Sequence, residues 1–458
     1  MSNKYFGTDG FRGEVNINLT AEHAYKIGRF LGWYFTSDLP KNNKSNAKTR
    51  IVIGKDTRRS SYMLEYALCA GIIASGGDAY ILHVTTTPSV SYVVRTEGFD
   101  CGIMITASHN PFYDNGIKLI NRYGEKFDDN ATNMIEKYID GEFELSGKDD
   151  LPLAQREQVG SVVDYVSGRN RYIAYLISLA SHSYKQLRIG LDCANGAVWN
   201  IARAVFDALG AQTYVVADKP DGVNINDGCG STHIENLQRL VKEKHLDIGF
   251  AFDGDGDRCI AVDEKGNEID GDKMMYILAN RLKSRGMLRD DTVVATIMSN
   301  SGFVNSLEKA GLKCELTAVG DRFVYERMQE KDYDLGGEQS GHIIIKKYAT
   351  TGDGLLTAIM IAEELCDKKL PLSKLATNVT LYPQYVKNVR VNDKKAVISN
   401  EVVLESVREA EKIIAGKGRV LLRESGTEPV IRVMIECESG SLCVELAEKI
   451  AQTIKTSV

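Results

Sequence analysis

Residues 248–263 read IGFAFDGDGDRCIAVD. The apolar run 248–252 predicts a buried strand, and 258–262 predicts the strand that leaves the turn. Between them Asp253, Asp255 and Asp257 alternate with glycines. Hard oxygen ligands crowded into a tight Gly-rich turn suit Mg²⁺, which wants compact octahedral oxygens and keeps positions open for phosphate. An EF-hand has acids at the same 1, 3, 5 spacing and Glu264 falls at its position 12, but Arg258 stands where that loop needs Gly and both flanks read as strands. A β-turn rich in Asp and Gly is the bland alternative. Three acids packed this closely would repel one another without a cation.

Outward from this turn, short β-rich runs alternate with amphipathic helical runs, the pattern of α/β layers with parallel sheets. Upstream, strands are predicted over 188–192 and 212–216 and helices over 197–209 and 234–244. Downstream, helices are predicted over 273–285, 302–310 and 322–331 and strands over 292–296 and 313–318. An N-terminal stretch has strands at 50–55, 79–84 and 100–105 and a helix at 62–74. Three α/β domains follow, over 1–155, 156–254 and 255–370. After a long buried helix at 352–367, residues 368–371 read as a linker and hinge. The remainder, 371–458, has strands at 379–391, 419–423 and 430–436 and helices at 399–415 and 441–456, a small α+β domain. The polar, basic stretch 41–50 reads as a solvated loop.

The 458 residues are 43% hydrophobic and 26% charged, so the chain can bury large cores and disorder is excluded as its main state. A net charge of −6 argues against a sequence-independent nucleic-acid binder. No apolar run approaches the roughly 20 residues of a membrane helix, and the N-terminus lacks the apolar core of a signal peptide. Nine scattered cysteines with no C-x-x-C pair read as reduced core thiols. A soluble, cytoplasmic protein is expected.

Three more stretches carry chemistry. ITASHNPFYDNGIKL (105–119) follows a predicted strand, where an α/β sheet puts its ligands. Ser108 could be a nucleophile there, with His109 or Lys118 near enough to move protons; a polar turn is the alternative. DLGGEQSGHIII (334–345) offers Glu338, Ser340 and His342, which on an extended segment share one face and suit a carbohydrate's hydroxyls; turn chemistry with a satisfied histidine is the alternative. RESGTEPVIRVM (423–434) offers Arg423, Ser425, Gly426, Thr427 and Arg432, able to cradle a phosphate; a surface hairpin with a salt bridge is the alternative. A metal, a hydroxyl nucleophile, a sugar reader and a phosphate clamp point to phosphoryl transfer on a sugar.

In this order, and over essentially the whole chain, the four motifs resemble the α-D-phosphohexomutase family. FGTDGFRG (6–13), GEQSGH, VGDRFVYERM (319–328) and TTGDGLLTA (350–358) narrow the resemblance to the branch acting on glucosamine phosphates. The resemblance implies an α/β fold of three related mixed-sheet domains plus a smaller C-terminal α+β domain around a central cleft. It implies interconversion of glucosamine 6-phosphate and glucosamine 1-phosphate through a 1,6-bisphosphate, feeding UDP-N-acetylglucosamine and, in bacteria, cell-wall synthesis. Ser108 would be the phosphoserine, held with one Mg²⁺ by Asp253, Asp255 and Asp257. Arg12, His109, Lys118 and Arg258 would line the transfer site, Lys118 the better proton carrier. Glu338, Ser340 and His342 would read the sugar, and Arg423, Ser425, Gly426, Thr427 and Arg432 would grip the non-reacting phosphate. Gln339 tilts the choice toward the amino sugar. A hexose 1,6-bisphosphate would be the activator and a small phosphosugar the partner, with no nucleic acid or membrane; a homodimer stays open. A phosphoglucomutase or phosphomannomutase, or a non-catalytic sugar-phosphate-binding protein, are the other readings.

Overall fold

A computed structural model describes residues 4–7, 9–37, 48–145, 150–391, 393–424 and 430–457. The chain divides into two compact units, one of residues 1–297 and 315–376, the other of 298–314 and 377–458. Most of the basic stretch 41–50, namely 41–47, lies outside the described residues, as do Ser425, Gly426 and Thr427.

The first unit contains three mixed sheets. The largest runs in the spatial order Phe6–Gly7, Gly10–Glu14, Asp114–Asn121, Cys101–Ile105, Arg50–Lys55, Asp78–Val84, Val162–Asp164. Arg50–Lys55 pairs parallel with both of its neighbours, whereas Asp114–Asn121 returns antiparallel to Cys101–Ile105. That antiparallel return needs only the short connection 106–113, and Ser108 sits on it. Because Val162–Asp164 pairs with Asp78–Val84, the first sheet continues past the expected boundary at 155.

The second sheet runs Glu268–Ile269, Cys259–Asp263, Ile248–Phe252, Arg188–Asp192, Gln212–Val216. Phe252 pairs with Cys259 in antiparallel register, so Asp253–Arg258 is the turn of a hairpin inside one sheet. A domain boundary at 254–255 would cut that hairpin. The strand expected to open the third domain therefore belongs to the second. All five residues of Ile248–Phe252 are buried, as expected of an unbroken apolar run covered on both faces.

In the third sheet Thr292–Thr296 pairs parallel with Leu335–Gly337, which turns back antiparallel to Ile343–Ile345. The helix Gly354–Lys368 ends at Lys369 in the left-handed conformation. A further helical turn, Leu372–Leu375, still belongs to the first unit, so the division falls after Ala376 and not at 368–371.

The second unit is an antiparallel sheet, Gln384–Arg390, Val430–Cys437, Gly418–Glu424, packed against helices that include Glu401–Ile413 and Gly440–Ser457. Helix Ser301–Lys309, expected in the third α/β domain, is gathered into this unit. The Ser301 N–H donates to buried Glu436 and Asn300 Nδ2 to the Tyr382 carbonyl.

Candidate active site

Two strand ends and one hairpin of the first unit supply the site. Ser108 follows the buried strand Cys101–Ile105, the Asp turn follows Ile248–Phe252, and residues 338–342 turn between Leu335–Gly337 and Ile343–Ile345. Loops at the carboxyl ends of central strands are where such sheets bind ligands.

Ser108 is fully buried and adopts φ +51, the left-handed region that non-glycine residues avoid at a cost of about 1–2 kcal/mol. Its Oγ donates to Asp253 Oδ2 at 2.6 Å and lies 3.3 Å from His109 Nδ1. Ser108 and the Asp turn touch through Gly254, where a Cβ would stand 2.5 Å from the Ser108 carbonyl oxygen.

Asp253, Asp255 and Asp257 are buried, and one oxygen from each lies within 4.8 Å of the others. Lys118 Nζ, itself buried, reaches Asp255 Oδ2 at 2.8 Å, Asp9 Oδ2 at 3.1 Å and Asp257 Oδ2 at 3.2 Å. Thr87 Oγ1 also donates to Asp255 Oδ2. Asp255 Oδ1 is buried and makes no hydrogen bond among the described residues, and the same holds for Asp257 Oδ1, Arg12 Nε and Arg258 Nε. Buried acceptors and donors left open are costly unless a ligand completes them. A cation fits the two open carboxylate oxygens, and an anion fits the open guanidinium donors.

The electrostatics agree. Burial, then Asp257 and Asp255, hold the Asp253 carboxyl well above the usual carboxylate range. Burial also opposes ionisation of Asp257, yet Lys118 and His342 outweigh it and hold that carboxyl well below the usual range. For Lys118 burial disfavours the ammonium, but the three facing carboxylates raise it well above the ordinary lysine value. Burial, then Arg258 and Arg12, push His109 down to about 4. His109 is therefore neutral near pH 7, and Arg258 Nη1 lies 3.2 Å from its Nδ1.

Residues 338–341 form a turn rather than an extended segment, so the period-two argument for Glu338, Ser340 and His342 does not apply. Gly341 has φ +89 and its Cβ would stand 2.1 Å from the Cys259 carbonyl oxygen, which locks this turn onto the strand leaving the Asp turn. Glu338 Oε1 accepts from the Gly320 N–H at 3.1 Å, and Ser340 Oγ is buried without a hydrogen-bond partner among the described residues. His342 is buried, its Nδ1 3.6 Å from Asp257 Oδ1 and its Nε2 3.5 Å from Asp321 Oδ2. Burial opposes its charge, but Asp257 leads a net rise. The Gly352 N–H donates to Nε2 at 3.0 Å, so the neutral ring carries its proton on Nδ1, toward Asp257. Gln339 Nε2 donates to Asp270, the N-cap of helix Gly271–Ser284, which gives this side chain a structural use.

Arg12 contacts Asp9. In the second unit Arg423 and Arg432 are directly opposed across two strands. Asp9, Thr87, Lys126 and Asp321 were not singled out from the sequence; Lys126 bridges Asp9 and Asp321 at 3.1 and 2.7 Å. Asp9 and Asp321 do lie in two quoted stretches, FGTDGFRG and VGDRFVYERM.

Four domain families match in sequence order: phosphoglucomutase/phosphomannomutase alpha/beta/alpha domains I, II and III over residues 3–145, 170–266 and 270–382, and the C-terminal domain over 387–453. The chain belongs to the phosphoglucomutase/phosphomannomutase family. Among relatives in it, phosphoglucosamine mutase of Lachnospira eligens is 56% identical over 453 residues, covering 99% of this chain and 98% of its own. Phosphoglucosamine mutase of Bacillus subtilis is 47% identical and 99% of each chain is covered. A solved structure of a family protein from Burkholderia thailandensis has a TM-score of 0.79 at 22% identity, covering 100% of this chain and 98% of its own. N-acetylphosphoglucosamine mutase of Aspergillus fumigatus, solved with GlcNAc-6P and magnesium, has a TM-score of 0.72 at 17% identity, covering 100% and 96%. Those two likenesses concern the fold, four-domain α/β with a smaller C-terminal domain. Among the described residues no helix is long and apolar enough to cross a membrane.

Proposed function

We propose that this family member interconverts glucosamine 6-phosphate and glucosamine 1-phosphate through a phosphorylated Ser108. The observation that carries the reading is Ser108 Oγ set 2.6 Å from Asp253 within a buried carboxylate trio that keeps two oxygens free of hydrogen bonds. The names of the relatives at 47–56% identity support the amino sugar.

Mg²⁺ held by Asp253, Asp255 and Asp257 would neutralise charge on the transferring phosphoryl group. Ser108 donates that group to a sugar phosphate, giving glucosamine 1,6-bisphosphate, and recovers the other phosphate after the sugar turns around. Arg12 and Arg258 direct their open donors at the phosphoryl oxygens. Lys118, held as an ammonium by three carboxylates, serves as a fixed positive charge rather than a base. Neutral His109, 3.3 Å from Ser108 Oγ, is a proton acceptor within reach of it. Glu338 and Ser340 bind sugar hydroxyls in both poses, and Arg423, Ser425, Gly426, Thr427 and Arg432 bind the phosphate that does not react. A hexose 1,6-bisphosphate would re-prime enzyme that has lost its phosphoryl group. Nine free thiols suit a reducing compartment, and the cytoplasm is the expected location.

The test is intact mass before and after phosphatase, then assays on glucosamine, glucose and mannose phosphates side by side. Dephosphorylated enzyme should be nearly inactive, and catalytic glucose 1,6-bisphosphate should restore it. Full activity of Ser108→Ala with that activator present would overturn the phosphoserine route.

A further inference from the structure

The loop that carries Ser108 is wrapped around one buried arginine that the sequence reading passed over. Arg58 is fully buried at the entry to helix Arg59–Ala74. Its Nη2 donates to the carbonyls of Ser108 at 2.9 Å and Asn110 at 2.8 Å. Its Nη1 donates to those of Asp114, at 3.1 Å, and Pro111. Nε donates to Asp56 Oδ2 at 2.8 Å. A guanidinium has five N–H donors in a rigid fork, and all five are spent here. Asp56 is buried too and accepts from Thr106 Oγ1, which in turn accepts from the Ser108 N–H. From the neighbouring domain Asn226 Nδ2 donates to the same Ser108 and Asn110 carbonyls, at 2.9 and 3.1 Å.

We infer that Arg58 and Asn226 are positioning residues: they collect the loop's carbonyls, hold Ser108 at its left-handed φ, and thereby aim Oγ at the Asp turn. The inference rests on the reading of Ser108 as phosphoryl carrier. Neither side chain hydrogen-bonds Ser108 Oγ; both act through the backbone. A loop of this kind without its cage would relax toward ordinary φ and swing Oγ off line. Lysine cannot substitute, since three donors on a flexible stem do not match four carbonyls and a carboxylate.

The test uses full-length protein with Mg²⁺, comparing wild type, Arg58→Lys and Asn226→Ala well below their unfolding temperatures. Two readouts are taken: the rate at which dephosphorylated Ser108 gains a phosphoryl group from glucose 1,6-bisphosphate, by intact mass, and kcat with KM on glucosamine 6-phosphate. A misplacement of about 1 Å costs about 10²-fold, so Arg58→Lys should lose about that much in both loading rate and kcat. KM should stay within about threefold, because the loss is confined to the transferring step. Asn226→Ala should lose about tenfold in the same two readouts, with its smaller share of the cage. Loading and kcat at wild-type values in the folded variants would overturn the inference. Should Arg58→Lys fail to fold, Asn226→Ala decides on the same readouts, and a wild-type loading rate there overturns it. Wild-type enzyme that never acquires a phosphoryl group on Ser108 is a different result, and it would remove the phosphoserine reading itself.

Discussion

Ser108 Oγ donates a 2.6 Å hydrogen bond to Asp253, a residue 145 positions further along the chain. Two strand ends from different sheets meet there, and a hydroxyl that looks unremarkable in a polar loop is set against a cluster of buried carboxylates. The same juxtaposition makes the site's charge balance testable.

Asp255→Asn should lower turnover at least about 10²-fold, since a stabilised oxyanion or phosphoryl charge is worth that much per preorganised partner. The far-ultraviolet circular dichroism should be unchanged, because Lys118 keeps Asp9 and Asp257. Activity near wild type at micromolar Mg²⁺ would count against the carboxylate trio as the metal site.

Burial and its two neighbours favour a proton on Asp253 in the metal-free protein. Mg²⁺ must displace that proton, so its affinity should rise with pH until Asp253 is ionised and then level off. Calorimetric titration in buffers of different ionisation enthalpy should report proton release. A proton count of zero would show that Asp253 is already ionised.

Lys118→Met strips the ammonium from three carboxylates. Breaking a buried charge set from one side costs about 3–5 kcal/mol, and the variant should unfold at correspondingly lower urea in the presence of chelator. Mg²⁺ should then stabilise the variant more than it stabilises wild type. Equal Mg²⁺-induced shifts would mean that Lys118 does not balance the trio.

Arg423 and Arg432 stand directly opposite each other across two strands, which puts two guanidiniums on one face of the sheet, an arrangement that suits an anion. Arg432→Ala should raise KM for both phosphosugars about 30-fold, the loss of a charge-assisted bond of about 2 kcal/mol. An unchanged KM in both directions would take this pair out of substrate binding.

Asp353 caps helix Gly354–Lys368 and accepts from Tyr172 Oη at 2.9 Å, and burial raises its carboxyl to about 6. A value above the ordinary 3.8 means that the fold prefers the protonated form. Stability from this group is full below about pH 4 and is lost as pH rises through about 6, a difference of about 3 kcal/mol. Asp353→Asn keeps the cap and removes the titration. Urea unfolding at about pH 4.5 and 7.5 should show a smaller stability difference between the two for the variant than for wild type. An identical difference would place the titration elsewhere, Asp192 being the next buried carboxyl raised to about 6.

Local chemistry was readable in the chain alone. An apolar run such as Ile248–Phe252 must be covered, alternating Asp and Gly must turn, and both hold in the structure. The motifs thus fixed the α/β class and the identity of the carboxylate trio. Limits on that reading came from the same locality. The period-two rule put Glu338, Ser340 and His342 on one face because it assumes a strand, and Gly341 at φ +89 makes a turn there instead. The edge drawn at 254–255 cuts a hairpin because pairing partners, not composition, decide where a sheet ends, and the edge drawn at 368–371 falls short of Ala376, where the first unit ends.

By itself, then, the sequence determined which residues carry charge, hydroxyls and turns, since those are properties of single residues and their near neighbours. Only the tertiary structure decided which of them act together. Lys118 could have been a base, and three carboxylates gathered from Asp9, Asp255 and Asp257 make it a held cation. Arg58 could have been a surface charge, and four carbonyls of a loop 50 to 56 residues away spend its donors. Interaction energies at 3 Å depend on distance and burial, and neither is written in the spacing of residues along a chain.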